Sequence, residues 1–236
     1  MSAGASWSRV AALTAAVLDA CDWPALGAIY CNDPVEARWP ERRALVQEHG
    51  LALARRLLAA LPRGGTSLWV GAGLAEVPVL LAETMRQGRQ VLATNLRVAE
   101  CELLNRALEQ AVPEMPCRYQ PVDARTLAAA AAFDHLGCVS VFTDPETWPV
   151  LSEVAYGRLA PVQIDVAKFV AEREQARELA AVLFGRLSRP GWITTTAEEV
   201  SWFLEQAELA GAAIEADEEL VPTALVGDPV GLLQVR

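Results

Sequence analysis

Four short stretches carry residue types suited to hold a small, partly polar ligand: Val70 to Ala75, Thr94 to Leu96, Asp123 with Ala124, and Thr143 to Glu146. In the first, Gly71 and Gly73 flank Ala72, and glycine permits a tight turn and a close approach of backbone to ligand. A helix beginning there favours an anionic group, such as a carboxylate or phosphate, at its amino end. A dinucleotide fingerprint wants a third glycine where Glu76 stands, which argues against NAD. Asn95 lies where nucleoside-binding folds place an acid for the ribose hydroxyls; its amide can accept from one hydroxyl and donate to the other, without charge. Asp123, with Ala124 beside it, suits the amino group of an adenine. Asp144 and Glu146 could orient an amine or serve as a general base. The competing reading is that Asp144 only caps its loop.

These stretches need a scaffold that brings them to one edge. From about residue 64 onward, β-type runs alternate with helical patterns, which predicts a parallel sheet covered by helices. The predicted strands are Ser67 to Val70, Gln90 to Thr94, Cys117 to Val122, Leu136 to Phe142 and Trp192 to Thr196, followed by a closing hairpin of Leu220 to Val226 and Gly231 to Val235. Leu136 to Phe142 is apolar throughout, as a central strand buried on both faces should be. Helices are predicted over Glu41 to Leu61, Ala75 to Arg86, Arg97 to Ala111, Thr126 to Ala132 and Lys168 to Leu187, and again where Val200, Phe203, Leu204 and Ala207 share a face. The proline-punctuated stretch from Thr143 to Val166 is either a substrate-facing insertion or an extra helix on the sheet. In open sheets of this kind ligands bind beyond the carboxyl ends of the strands, where the strand order reverses, and all four stretches sit at such ends. The lead, residues 1–63, forms a helical segment whose Trp23, Tyr30 and Trp39 either pack or cover that edge as a lid; residues 64–236 form the α/β domain.

The order of elements from Ser67 to Val235 resembles the class I S-adenosylmethionine-dependent methyltransferases: a doubly wound, mostly parallel, Rossmann-like sheet of seven strands with a glycine loop after the first and a C-terminal antiparallel hairpin. Leu187 to Thr196, with Ser188, Arg189, Pro190 and Gly191, is similar to the family's Leu-x-Pro-Gly-Gly turn, with Trp192 for the second glycine. The resemblance implies S-adenosylmethionine as cofactor. Gly71 and Gly73 would approach its methionine part, Asn95 its ribose, and Asp123 and Ala124 its adenine, with Ala72, Leu96 and Thr143 completing the cofactor-binding set. It also places Asp144 and Pro145 where amino-directed members carry Asp or Asn followed by prolines and an aromatic residue; here Glu146, Thr147 and Trp148 follow. Three positions depart from the family: Trp69 for an acid, Ala75 for the last loop glycine, and Asn95 for the second-strand acid. They support a second reading, a catalytically inactive methyltransferase-like binding or assembly protein.

Composition narrows the partners. With 20 Lys and Arg against 30 Asp and Glu the net charge is −10, which argues for a small-molecule or protein-presented acceptor and against nucleic acid. Five cysteines without CxxC spacing and only two histidines indicate neither a disulfide framework nor a metal site. His135 falls at the wrong end of its strand for the chemistry, and His49 beside an apolar helix face. The apolar stretch Val10 to Leu18 is too short, and too poor in preceding basic residues, for a secretory leader or a membrane span. A soluble, cytoplasmic protein is expected, with the tryptophans as candidates for a homodimer face.

Overall fold

The computed structural model describes residues 4–30, 41–128 and 132–236, so Cys31, Trp39 and part of the helix expected at Thr126 to Ala132 lie outside it. Three helices lead: α1 (Trp7–Ala20), α2 (Trp23–Tyr30) and α3 (Arg42–Ala60). The α/β part follows as β1 (Thr66–Val70), α4 (Val77–Leu81), β2 (Gln90–Thr94), α5 (Val98–Ala111), β3 (Tyr119–Gln120) and β4 (Phe133–Cys138). It continues with α6 (Pro149–Ala155), α7 (Val166–Phe184), β5 (Leu187–Thr196), α8 (Val200–Leu209), β6 (Ile214–Ala216), β7 (Val221–Pro222) and β8 (Pro229–Val235).

The sheet runs β3-β2-β1-β4-β5-β8-β6, with β7 also on β8. Pairings from β3 to β5 are parallel, and those of β8 with β5, β6 and β7 are antiparallel. The chain winds outward from β1 in one direction and from β4 in the other, so the crevice between these strands opens at their carboxyl ends. The alternation of side chains in β1 shows why two helical layers are needed. Leu68 and Val70 enter the core built with α7 and α8, whereas Trp69 enters the core shared by α1, α3, α4 and α5.

Several boundaries depart from the sequence reading. The sheet has eight strands, not seven, because the hairpin expected from Leu220 is split. Only Val221 and Pro222 pair with β8; Thr223 to Gly227 curls into a turn closed by Thr223 N–H to Asp228 O (2.8 Å) and Gly227 N–H to Thr223 Oγ1 (2.8 Å), and β6 supplies the additional strand. β3 shrinks to two residues since Pro116 and Pro121 bracket it and cannot donate to a ladder. At the Thr126 to Ala132 helix, the described part is a single 3-10 turn, Ala124–Thr126, whose start Asp123 caps through Arg125 N–H.

The central strand is displaced most. It spans Phe133–Cys138 rather than Leu136 to Phe142, and the apolar run continues beyond it as a loop. Ser140 turns the chain with φ +56°, and the amides of Phe142 and Thr143 donate to the Glu199 carboxylate (2.6 and 3.1 Å) instead of to a neighbouring strand. Burial pushes Glu199 from the ordinary 4.5 up to about 8, so the native state holds a proton there that the unfolded chain releases near 4.5. Stability from this group is therefore complete below about pH 4.5, is lost as pH rises to about 8, and is level above. In Glu199→Gln, whose amide oxygen keeps the Phe142 and Thr143 bonds, that slope is expected to disappear. Urea unfolding at pH 5, 6.5 and 8 should show the variant gaining steadily on the wild type.

Candidate functional site

The glycine loop leaves β1 at Gly71, which has φ +67°. Its geometry is set by hydrogen bonds on both sides: Ala72 N–H donates to Thr94 O (3.0 Å), and Asn95 Nδ2 donates to Ala72 O (2.8 Å). The amino end of the following helix is already occupied by the protein itself. Gly73 N–H donates to the Glu76 carboxylate (2.8 Å), and Leu74 N–H to the Tyr30 hydroxyl (3.3 Å). The expectation of a bound anion at this terminus is thereby corrected: the loop amides face the protein's own oxygens, and a carboxylate or phosphate would meet Glu76 and Glu100. Tyr30 also donates to Glu100, which accepts from Asn95 Nδ2 as well (3.1 Å).

Desolvation dominates the electrostatics here. It pushes Glu76 up to about 7, raises Glu100, and holds the Tyr30 phenol well above its ordinary value. Two buried carboxyl groups thus form one wall of the site, with Arg97 offsetting the effect of burial only in part at Glu100.

Two cavities meet at this edge. The smaller, about 310 Å³, lies over the ends of β1 and β2 and reaches Leu96, Asp123, Ala124, Val141 and Trp148. Leu96 is 58% exposed and Ala124 is buried, so the two present apolar surface suited to a flat base. Asp123 is held below the usual carboxylate range, chiefly by hydrogen bonds from the Arg125 side chain. The larger cavity, about 440 Å³, extends from Gly73, Glu76 and Glu100 to Ser152 and Tyr156 of the α6 region, and is roofed by Ile29 and Tyr30 of α2 and by Leu225 and Val226. Gly71, Arg97, Ser140, Asp144 and Glu146 line both, so the cavities are two lobes of one cleft.

The expected site residues fall into two groups. Gly71, Asn95, Leu96, Asp123, Ala124, Asp144 and Glu146 line the smaller lobe, and Gly71, Gly73, Thr143, Asp144 and Glu146 the larger. Ala72 lines neither; it is buried beneath the loop. Asn95 spends both amide hydrogens on Ala72 O and Glu100, and its oxygen accepts from Arg97 N–H (2.8 Å). Thr143 points its hydroxyl to Glu199 (3.2 Å). Asp144, read as the end of the central strand, stands six residues beyond it, because β4 stops at Cys138. It reaches the cleft through an ion pair with Arg97 (2.8 Å), whose Nε binds Glu146 (2.9 Å).

Sequence reading missed Arg97, Glu100 and Ser140, and named Tyr30 only as part of a segment that either packs or covers the edge. Ser140 carries an enclosed hydroxyl with no hydrogen-bond partner among the described residues, at the junction of the lobes. Tyr30 shows that the lead does reach the carboxyl edge. Trp69, the departure that could have blocked a cofactor, lines neither lobe: its indole is fully buried behind the sheet, donating to Glu83 (2.7 Å) and edge-on to His135. The four described thiols offer no nucleophile, since burial pushes Cys21 and Cys117 to about 12 and Cys101 to about 11 and raises Cys138 well above its ordinary value. His135 is buried and held neutral, with Nε2 paired to Thr194 Oγ1 (2.9 Å). Of the six described tryptophans, Trp69 and Trp148 are buried and the other four are partly buried. Among the described residues no single helix is long and apolar enough to cross a membrane.

No family model matches the chain, and no curated protein matches it. Solved structures do. The precorrin-6y C5,15-methyltransferase of Geobacter metallireducens aligns over 80% of this chain and 88% of its own, with 14% identity and a TM-score of 0.51. A methyltransferase from Pyrococcus furiosus aligns over 79% and 82%, also with 14% identity and a TM-score of 0.51. The 16S rRNA methylase RmtB aligns over 99% of this chain and 77% of its own, at 15% identity and a TM-score of 0.49. At these identities the likeness is one of architecture.

Proposed function

We propose that this chain, which has the Rossmann-like fold of class I S-adenosylmethionine-dependent methyltransferases, binds that cofactor across the cleft and methylates a small molecule held in the larger lobe. The observation that carries the reading is the joining of the two lobes at the reversal of strand order, with Gly71 at the boundary and a pair of buried carboxyl groups at one end.

The residues present fit the cofactor's chemistry. Leu96 and Ala124 would enclose the adenine, and Asp123 accept from its amino group. Burial raises both Glu76 and Glu100, and the positive charge of Arg97 offsets this only in part at Glu100; a ligand bearing an ammonium and a sulfonium would add positive charge beside them and favour their ionised forms. Asn95 is committed to the loop, so it positions the site by shaping Ala72 and Glu100 and leaves the ribose to be met from elsewhere. The bound cofactor contributes an already activated methyl group. The protein's task is to hold the acceptor atom in line, at about 3 to 3.5 Å, and to take up a proton where one leaves. Asp144 faces both lobes and is ion-paired with Arg97, which places it to receive that proton, while Glu146 fixes the far side of the guanidinium. A volume of about 440 Å³ suits a small acceptor, and the net charge of −10 opposes a polyanionic one.

Calorimetric titration with S-adenosylmethionine and S-adenosylhomocysteine should give dissociation constants of about 10 to 100 µM, an ordinary range for a small-ligand site. Absence of heat with both at millimolar ligand overturns the proposal. Asp144→Asn should keep that affinity and lower turnover by about a hundredfold, the usual contribution of a positioned base.

A further inference from the structure

A second recess, of about 250 Å³, lies at the opposite end of the sheet, beside the amino ends of β1 and β2. A five-residue strand spans roughly 17 Å, so it is separate from the cleft by about the length of a strand. Its walls are Trp7, Arg55, Arg63, Arg86 and Gln87 with two apolar residues, and among the described residues no carboxylate lines it. The absence of an acid here is informative. In a chain with 30 acids and 20 bases, neighbouring arginines do find carboxylates: Arg56 pairs with Asp217 and Glu219, and Arg43 with Asp19. None of Arg55, Arg63 and Arg86 has a carboxylate partner among the described residues.

Nor do these three guanidinium groups serve chiefly to neutralise helix ends. The carbonyls that α3 leaves at its carboxyl end, Leu58 O and Leu61 O, are taken by Gln87 Nε2 (3.1 and 2.7 Å). Pro62 O and Gly64 O are taken by Arg89 (3.0 and 2.6 Å). Arg86 gives one nitrogen to Ala5 O (2.8 Å) and keeps the rest. Arg55 and Arg86 lie over the Trp7 ring, at 5.5 and 4.7 Å from its centre, which restricts their rotamers before any ligand arrives. Finally, Gln87 lines the recess, and its Oε1 is enclosed and has no hydrogen-bond partner among the described residues.

We propose that this recess binds a small phosphate monoester bearing a hydroxyl group, with Arg55, Arg63 and Arg86 on the phosphate and the hydroxyl-bearing part beside Gln87. Three planar forks exceed what the two oxygens of a carboxylate can use and match the three terminal oxygens of a monoester. A volume near 250 Å³ admits a sugar phosphate and is too small for a dinucleotide. The site is independent of methyl transfer at the cleft.

The test is calorimetric titration of the full chain at low salt with ribose 5-phosphate, inorganic phosphate and ribose. Binding of ribose 5-phosphate, tighter than that of inorganic phosphate and absent for ribose, is expected. It should weaken about tenfold or more in the Arg55→Ala/Arg63→Ala double variant, since each charged hydrogen bond is worth a factor of this order. Both side chains are exposed, so the fold should survive, which circular dichroism would verify. No heat at 10 mM ribose 5-phosphate, a scale of about 3 kcal/mol of affinity, overturns the proposal. So does undiminished binding by the double variant, which would place the phosphate on the arginines of the cleft.

Discussion

Replacing Arg89 by methionine is expected to cost about 3 to 5 kcal/mol, the range seen when one partner of a buried ion pair is removed. Arg89 is 2% exposed at the start of β2. Its Nε donates to Ser67 Oγ (3.0 Å) and Glu83 (3.2 Å), Nη1 to Pro62 O and Gly64 O, and Nη2 to Thr66 O (3.2 Å) and Asp134. One side chain thus gathers the residues leading into β1, a carboxylate of the helical layer and the start of β4. Methionine would fill much of the volume but withdraw the donors that Arg89 gives to three backbone carbonyls. It would also leave Glu83, already raised by burial even with Arg89 beside it, without a cation. For a domain whose total stability is about 5 to 15 kcal/mol, a fall of this size should lower the melting temperature by roughly 10 °C or more. Adding Glu83→Gln should recover part of the loss, and a double-mutant cycle would isolate the pair. A change under about 1 kcal/mol would mean that the pair contributes nothing net over an apolar contact.

The second large effect is functional. Gly71→Val should abolish detectable S-adenosylhomocysteine binding, a loss of at least a hundredfold, or about 2.7 kcal/mol. At φ +67° a β-branched residue is strained, and a Cβ at this position would lie 3.0 Å from Val141 Cγ2. The remaining methyl groups would have to enter one lobe or the other, because Gly71 lines both. Melting curves separate the two contributions: the strain alone should cost about 1 to 3 kcal/mol of stability. Folded protein that still binds the ligand as tightly as wild type would show that the ligand does not pass Gly71.

Much of this architecture was legible from local pattern. The run Ser67 to Val70 followed by two spaced glycines marked the first strand and its loop because both signals are short-range. The apolar face of Cys101, Leu104 and Leu108 marked α5 in the same way. Where the reading failed, distant residues decided the outcome. Val139 to Phe142 is as apolar as a strand, and only Glu199, nearly sixty residues later, draws its amides out of the ladder. Residues 220–226 have strand composition, but Asp228 closes Thr223 into a turn. In the site, Glu76 three positions after Gly73 was a readable helix-capping signal, which would have foretold that the loop amides are already engaged. Tyr30 on Glu100, and Arg97 on Asp144 and Glu146, could not be read, since each joins residues tens of positions apart.

The self-capped glycine loop bears on the kinetics of recognition. With Gly73 and Leu74 amides satisfied by Glu76 and Tyr30, the loop has no ordering left to do when a ligand arrives. Encounter then meets a finished surface, so arrival rates for different nucleosides should converge toward a common diffusive value. Discrimination among them falls to residence time, governed by how well each ligand answers the carboxyl groups at one end and the apolar slot at the other.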